Sequence, residues 1–334
     1  MNVNYVLAGQ LRRDYLLPAS GRPLIDVPGG SLLYAASGLS VWEKGLGLLA
    51  RVGEDYPHEW LKGFARHGWD TRGVRILAEA MDLRYFQASL DLQTVTRSNP
   101  VAHFARLGLT FPKSLLGYTP PVEAADDRRT SPPEAPRPAD IPSDYLEAHA
   151  VHLCPLDYMT ANRLISAFRQ AGVSTLTLDP SAAYLAPAAL EDIRSLLHGL
   201  TAFLPSEEEL RALFWGRTTD LWEMAETVAA FGCEFVVVKR GGHGQMLYNA
   251  AAQERWEVPA YPARLADLTG AGDAFAGGFL AGYSRDYDPL RAVLHGSVSA
   301  SLTVEGSGAF HALEALPGLA QARLESLSTI VRRV

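Results

Sequence analysis

Asp267-Leu268-Thr269-Gly270-Ala271-Gly272-Asp273-Ala274-Phe275 is the stretch on which the reading of this chain turns. Two glycines and an alanine lie between two aspartates, and a small-residue run with helical character continues over 274–282. A glycine-rich turn that opens a helix points several backbone N–H groups one way. The positive end of the helix dipole adds to that field, so such a turn is ready to bind an anion. Asp273 then sets a carboxylate beside the anion, where a simple phosphate binder would avoid negative charge. The combination makes chemical sense if that carboxylate takes a proton from a hydroxyl attacking a phosphoryl group. The competing reading is a helix N-terminus whose glycines serve close packing.

The 334 residues are 48% hydrophobic and 20% charged, enough for one large core or two unequal ones. Net charge is −7 with dispersed basic residues, which argues against nucleic acid or anionic membrane as the main partner. Two cysteines, Cys154 and Cys233, make no disulfide framework and suit a reducing cytosol. The first residues lack the basic and apolar segments of a secretory leader, and no apolar run is long enough for a bilayer. The expectation is a soluble, cytoplasmic protein of enzyme size.

Strand and helix patterns alternate along the chain. Strands are expected over 3–9 and 46–52, with helices over 30–43 and 58–67. After residue 143, strands over 150–154, 175–179, 202–204 and 235–239 alternate with helices over 160–171, 187–197, 206–214 and 221–231. A hairpin-like stretch follows through 244–247, and 289–304 reads as the last large helix. This rhythm predicts a mostly parallel sheet covered by helices on both faces. Two segments break it, about 14–28 and 82–110, and read as strands of a small accessory sheet able to cover a site. A Pro- and charge-rich stretch over about 119–143 reads as a surface insertion within a single domain spanning 1–334.

With these features in place, the stretch 267–273 resembles the signature of the ribokinase (PfkB) family of small-molecule kinases, Asp-(Thr or Pro)-Thr-Gly-Ala-Gly-Asp, departing only at Leu268. The resemblance implies a three-layer α/β/α sandwich with a small β-sheet lid, and transfer of the γ-phosphoryl of ATP to a hydroxyl of a sugar-like substrate. Asp273 would be the general base, with Gly270, Ala271 and Gly272 holding the developing charge and Thr269 on the nucleotide side. It also implies Mg2+ carried with ATP, without direct protein ligands. In the same family an aspartate five residues past the first strand's glycine accepts hydrogen bonds from substrate hydroxyls, and a following Gly-Gly pair clears space for the substrate to approach the backbone. Those roles fall on Asp14, Gly29 and Gly30. A bidentate carboxylate suits a vicinal diol, although an ordinary turn aspartate fits the local pattern as well. Arg51-Val52-Gly53-Glu54-Asp55 resembles a further family segment.

Tyr34 stands where sugar kinases of the family often carry asparagine, and could stack on a flat ring or donate one hydrogen bond. A nucleoside kinase on the same scaffold is therefore an alternative, and a non-catalytic sugar- or nucleotide-binding regulator a more distant one. Glu209 matches the glutamate of the family's Asn-x-x-Glu, acting on Mg2+ through water, while Ser206 replaces the asparagine; the two equally form a helix capping box. Lys239, Gly241 and Gly244 resemble the family's strand and turn beside the triphosphate; Lys239 could reach a phosphate or simply be solvated. By the same resemblance His295 lies near a nucleotide contact, and the turn over 306–309 could offer carbonyls to a monovalent cation. A homodimer is an open option, since some relatives pair through the lid. His149, His152 and Cys154 lack a fourth ligand and read as structural, and Asp179-Pro180-Ser181 reads as a family strand end or an ordinary turn. Selectivity is expected to rest on lid residues such as Tyr85, Gln87 and Arg106.

Overall fold

A computed structural model describes residues 3–92, 94–121 and 125–334. Gln93 of the accessory segment and residues 122–124 of the insertion, with residues 1–2, lie outside the described residues. The first strand is Tyr5–Ala8 (β1), followed by Arg12–Leu17 (β2), Leu24–Gly29 (β3), helix Ser31–Ser40 (α1) and Leu46–Val52 (β4). Then come His58–Arg66 (α2), Asp70–Ile76 (β5), Arg84–Ser89 (β6), Val95–Thr96 (β7) and Pro100–Arg106 (α3). The middle of the chain supplies Ala150–Leu153 (β8), Tyr158–Gln170 (α4), Thr175–Leu178 (β9), Arg194–Leu197 (α5), Ala202–Phe203 (β10), Glu207–Leu213 (α6) and Leu221–Ala229 (α7). Phe235–Lys239 (β11), Gln245–Asn249 (β12), Glu254–Val258 (β13), Ala271–Asp286 (α8), Pro289–Thr303 (α9), Leu319–Ser328 (α10) and Arg332–Arg333 (β14) complete it.

The main sheet runs β14-β13-β12-β11-β10-β9-β8-β1-β4-β5. Pairing is parallel from β11 through β5 and antiparallel from β11 out to β14. Successive side chains on each strand enter opposite cores, as a pleated strand requires. Val6 and Ala8 join Val151, Leu153, Val236 and Val238 against α4, α6 and α7. Tyr5 and Leu7 face the other way, toward α1 and α8. Both faces are buried, so the strands read as apolar runs rather than alternating ones.

On the second face α1, α8 and α9 pack closely through small residues. A Cβ on Gly38 would come within 2.1 Å of the Ala274 carbonyl, and one on Gly277 within 1.9 Å of the Ala35 carbonyl. That is the packing use of the small-residue run in α8. It coexists with, rather than replaces, the turn at the N-terminus of α8.

A second sheet, β3-β2-β6-β7, is joined to the turn ahead of α8 through Gln87 and Thr269. Its outer face has its own small core of Tyr15, Leu17, Phe86, Ala88, Phe104 and Leu115. Within 82–110 the structure also forms α3, where strand was expected. Asn99 caps it by accepting the Ala102 N–H at 3.3 Å, and Pro100 sits in the first turn. The expected helix over 187–197 breaks into a 3-10 turn and the short α5, and α10 follows what had read as the last large helix. The insertion is anchored by side chains. Asp140 and Arg51 form a buried ion pair at 2.6 Å, and Asp126 accepts the Tyr158 N–H at 2.6 Å. Among the described residues no helix is long and apolar enough to cross a membrane.

Candidate active site

Gly270 takes a left-handed conformation (φ 75°) that turns the chain into α8, and a Cβ there would meet the Tyr34 ring at 2.0 Å. Ala274 donates to the Gly270 carbonyl at 2.9 Å. The preceding N–H groups of Gly272 and Asp273 have no intrahelical acceptor and face out of the helix end. Asp273 lies in the first turn. Burial raises its carboxyl to about 6, Lys239 and Arg12 pull it back down, and Glu209 adds to the rise.

Under this turn runs the carboxyl edge of β9, β10 and β11, where open α/β sheets place their ligands. Lys239 ends β11 with its Nζ 3.4 Å from where a Gly272 Cβ would stand, and bonds the buried Asp179 at 2.5 Å. Burial lowers the Lys239 ammonium, but the carboxylates of Asp179, Glu209 and Asp273 more than reverse that and hold it charged. It is therefore not the solvated strand-end lysine that its apolar context suggested. Asp179, read from sequence as a strand end or turn, is its partner. Ser206 and Glu209 form the capping box, with Glu209 accepting the Ser206 N–H at 2.7 Å and Ser206 accepting the Glu209 N–H at 3.2 Å. Gly241 (φ 51°) and Gly244 (φ 81°) make the turn after Lys239, and a Cβ on Gly244 would meet the Val258 carbonyl at 2.1 Å.

Facing the turn is the lid. Asp14 on β2 is buried, with its carboxylate in the space a Gly29 Cβ would fill, 1.8 Å from that position. Gly29 thus makes room for Asp14 itself, which differs from the expectation that the glycine clears space for substrate. Gly30 (φ 97°) closes against the Gln10 carbonyl, and its N–H favours the ionised form of Asp14. Burial raises Asp14 to about 7, offset in part by Arg12 and the Gly30 N–H. Gln87 on β6 donates to Thr269 Oγ1 at 2.8 Å, and Thr269 donates to Asp267 at 2.7 Å, which ties the lid to the signature turn.

Three buried oxygens in this space lack a partner among the described residues: Asp14 Oδ1, Tyr34 Oη and Asp267 Oδ2. Tyr34 feels the charges of Asp14, Asp267 and Asp273 together, so the phenol lies within electrostatic reach of all three carboxylates. The Tyr34 ring itself is buried against Gly270 and offers no open face for stacking. His295 is not brought here. It packs against Trp42 at 4.4 Å between ring centroids and bonds the Arg291 carbonyl at 2.7 Å, beside Gly282, about 15 Å along α8 from the turn. Arg106 is exposed at the end of α3. Among the described residues no cluster of three or more His, Cys, Asp or Glu is arranged to hold a metal ion.

A kinase signature in sequence thus sits at a helix N-terminus with a buried carboxylate, a charged lysine and a covering lid. The pfkB family carbohydrate kinase profile matches residues 124–316, more than half of the chain, and the protein belongs to that family. Cytidine kinase from Thermococcus kodakarensis is 26% identical over 283 residues, covering 85% of this chain and 89% of the relative. ATP-dependent ribose-1-phosphate kinase from Halopiger xanaduensis is 27% identical over 305 residues, covering 90% and 89%. A ribokinase-type protein from E. coli, solved with ATP and Mg2+, matches at TM-score 0.71 and 17% identity over 98% of this chain and 99% of its own. The fold is the ribokinase-like α/β/α sandwich. The protein is a small-molecule kinase, a phosphotransferase acting on a hydroxyl acceptor.

Proposed function

We propose that the protein transfers the γ-phosphoryl of ATP to a hydroxyl of a sugar-like acceptor, with Asp273 as the general base. The observation that carries this reading is the Asp273 carboxylate, raised to about 6, in the first turn of a helix whose outward N–H groups attract phosphate. The acceptor hydroxyls donate to Asp14 and Asp267 and meet the Tyr34 hydroxyl, giving those three unpartnered oxygens their bonds. Asp273 takes the proton of the attacking hydroxyl as its oxygen bonds to the γ-phosphorus and the bond to the β-γ bridging oxygen breaks, releasing ADP. Charge on the transferring group meets the Gly272 and Asp273 N–H groups and Lys239. Mg2+ bound with ATP supplies charge neutralisation across the phosphate oxygens. The Glu209 carboxylate, with one oxygen on its cap, fits contact to that ion through water.

The turn over 306–309 follows Val304, whose carbonyl accepts the Ala266 and Asp267 N–H groups at 2.8 and 3.3 Å. Ser307 Oγ is buried there without a partner among the described residues, which supports a monovalent cation at this turn. ADP release in K+ against choline tests that part. A nucleoside acceptor is the second reading, favoured by the cytidine kinase relative rather than by Tyr34, whose ring is already packed. ADP release from Mg-ATP over sugars, sugar acids, sugar phosphates, polyols and nucleosides, beside Asp273→Asn, tests both. One active acceptor class abolished by the variant is the expected outcome. Undiminished turnover in Asp273→Asn would remove the proposed base.

A further inference from the structure

Arg12 and Arg13 are neighbours on β2 with opposite fates. Arg13 points to the lid's outer face and forks onto Asp26 with bonds of 2.9 and 2.7 Å. Arg12 alternates to the other face, which it shares with Asp14, two residues on. That face looks onto the signature turn, because Gln87 on the adjacent strand bonds Thr269 from it. Arg12 is only partly buried, its guanidinium lies 4.6 Å over the Tyr85 ring, and one nitrogen donates to Gln10 at 2.8 Å. Among the described residues it makes no ion pair, although its charge reaches both Asp14 and Asp273.

An arginine placed to neutralise Asp14 would fork onto it. Here Asp14 Oδ1 stays without a partner while Tyr85 and Gln10 hold the guanidinium away. Arg97 donates to the Tyr85 hydroxyl at 2.8 Å, which helps to fix the ring on which Arg12 stacks. A planar fork, stacked and oriented but without a carboxylate, matches a carboxylate or phosphate on a ligand better than a neutral hydroxyl.

We infer that the acceptor carries an anionic group, a carboxylate or a phosphate, and that Arg12 is the residue that selects it. The inference rests on the kinase reading of the same pocket and narrows its acceptor class. The carboxylates of Asp14 and Asp267 receive the hydroxyls of the acceptor, and Arg12 at the lid edge takes its anionic end.

The test is ADP release with matched acceptors, ribose 1-phosphate against ribose and gluconate against glucose, for the wild type, Arg12→Gln and Arg12→Lys. The anionic member of at least one pair should be preferred, and the pair that responds tells phosphate from carboxylate. Arg12→Gln should cut kcat/KM for that anion about 10- to 100-fold more than for its neutral partner, chiefly through KM. Arg12→Lys, which keeps the charge without the fork, should retain part of the preference. Preference for the neutral members overturns the inference while leaving the kinase reading intact. So does an equal loss on both members through kcat, which would assign Arg12 to the transferring phosphoryl. If no acceptor releases ADP, calorimetry with ribose 1-phosphate and gluconate decides separately from catalysis. Binding by the wild type that Arg12→Gln abolishes supports the selection role, and no binding of either overturns it.

Discussion

Lys239 beneath the signature turn is matched by Asp179 at 2.5 Å, whereas Arg12 on the facing lid strand has no carboxylate partner among the described residues. The same contrast runs through the two walls. On the floor the capping box of Ser206 and Glu209 closes on itself. Facing the lid, Asp14 on β2, Tyr34 on α1 and Asp267 ahead of the signature turn each keep a buried oxygen unbonded among the described residues. Buried polar groups cost free energy until they are paired, so a wall that is paired before any ligand arrives is preorganised. A wall with open valences gains its bonds only from what enters. The proposed phosphate side therefore contributes to stability as it stands, and the proposed acceptor side to recognition.

The largest effect is expected at the point where the walls meet. Asp273→Asn should lower kcat by about 1,000-fold or more with ATP affinity retained, because it removes the base but not the N–H groups. A loss below tenfold in single-turnover assays would shift proton removal to another group. On the paired floor, Lys239→Met leaves Asp179 buried without its cation and should cost on the order of 3–5 kcal/mol in urea unfolding. A change under about 1 kcal/mol would mean the pair is screened and the two walls are less different than they look.

On the open wall Asp14→Asn should behave in the opposite sense. Its carboxyl is raised to about 7 in the fold against about 3.9 unfolded, so its ionised form costs stability most above pH 7. That cost is relieved as pH falls from 7 toward 4. Asp14→Asn should therefore raise Tm by a few degrees at pH 8 and by almost nothing near pH 4, while kcat/KM drops about 100-fold. An unchanged Tm at pH 8 would remove the contrast. For the wild type, kcat/KM should rise with pH between about 6 and about 7 as Asp273 and then Asp14 lose their protons, and level above that. A flat profile down to pH 5 would contradict a base of that pKa. Smallest of all, Gln87→Ala removes one bond between lid and turn and should raise the acceptor KM about 3- to 10-fold with little change in kcat.

Much of the frame was legible because its signals are local. The strands over 46–52 and 235–239 fall where β4 and β11 form, and the parallel core with helices on both faces follows from their alternation. β5 was not anticipated. Asp-Thr-Arg-Gly-Val-Arg-Ile carries charges on an edge strand, where one side faces water and the apolar run is broken. Arg51 was noticed only as part of a resembling segment; its partner Asp140 is 89 residues away, inside a stretch that composition marked as surface. The pairing of Asp179 with Lys239 was not legible for the same reason: Asp179 read as a strand end or turn and Lys239 as a phosphate contact or a solvated charge, and only the fold brings the ends of β9 and β11 together. Arg12 was visible in the sequence, but nothing local separates it from Arg13.

What the chain determined by itself is the signature turn and the helix it opens. Gly270 permits the left-handed turn, and the first turn of any helix leaves outward N–H groups beside whatever residue stands at Asp273. What only the tertiary structure decided is which charges are matched. Arg12 and Arg13 have the same chemistry, and the alternation of β2 sends one to Asp26 and the other to Gln10 and the Tyr85 ring, without a carboxylate partner among the described residues. Pairing is a property of distance and burial, and neither is written in the order of the residues.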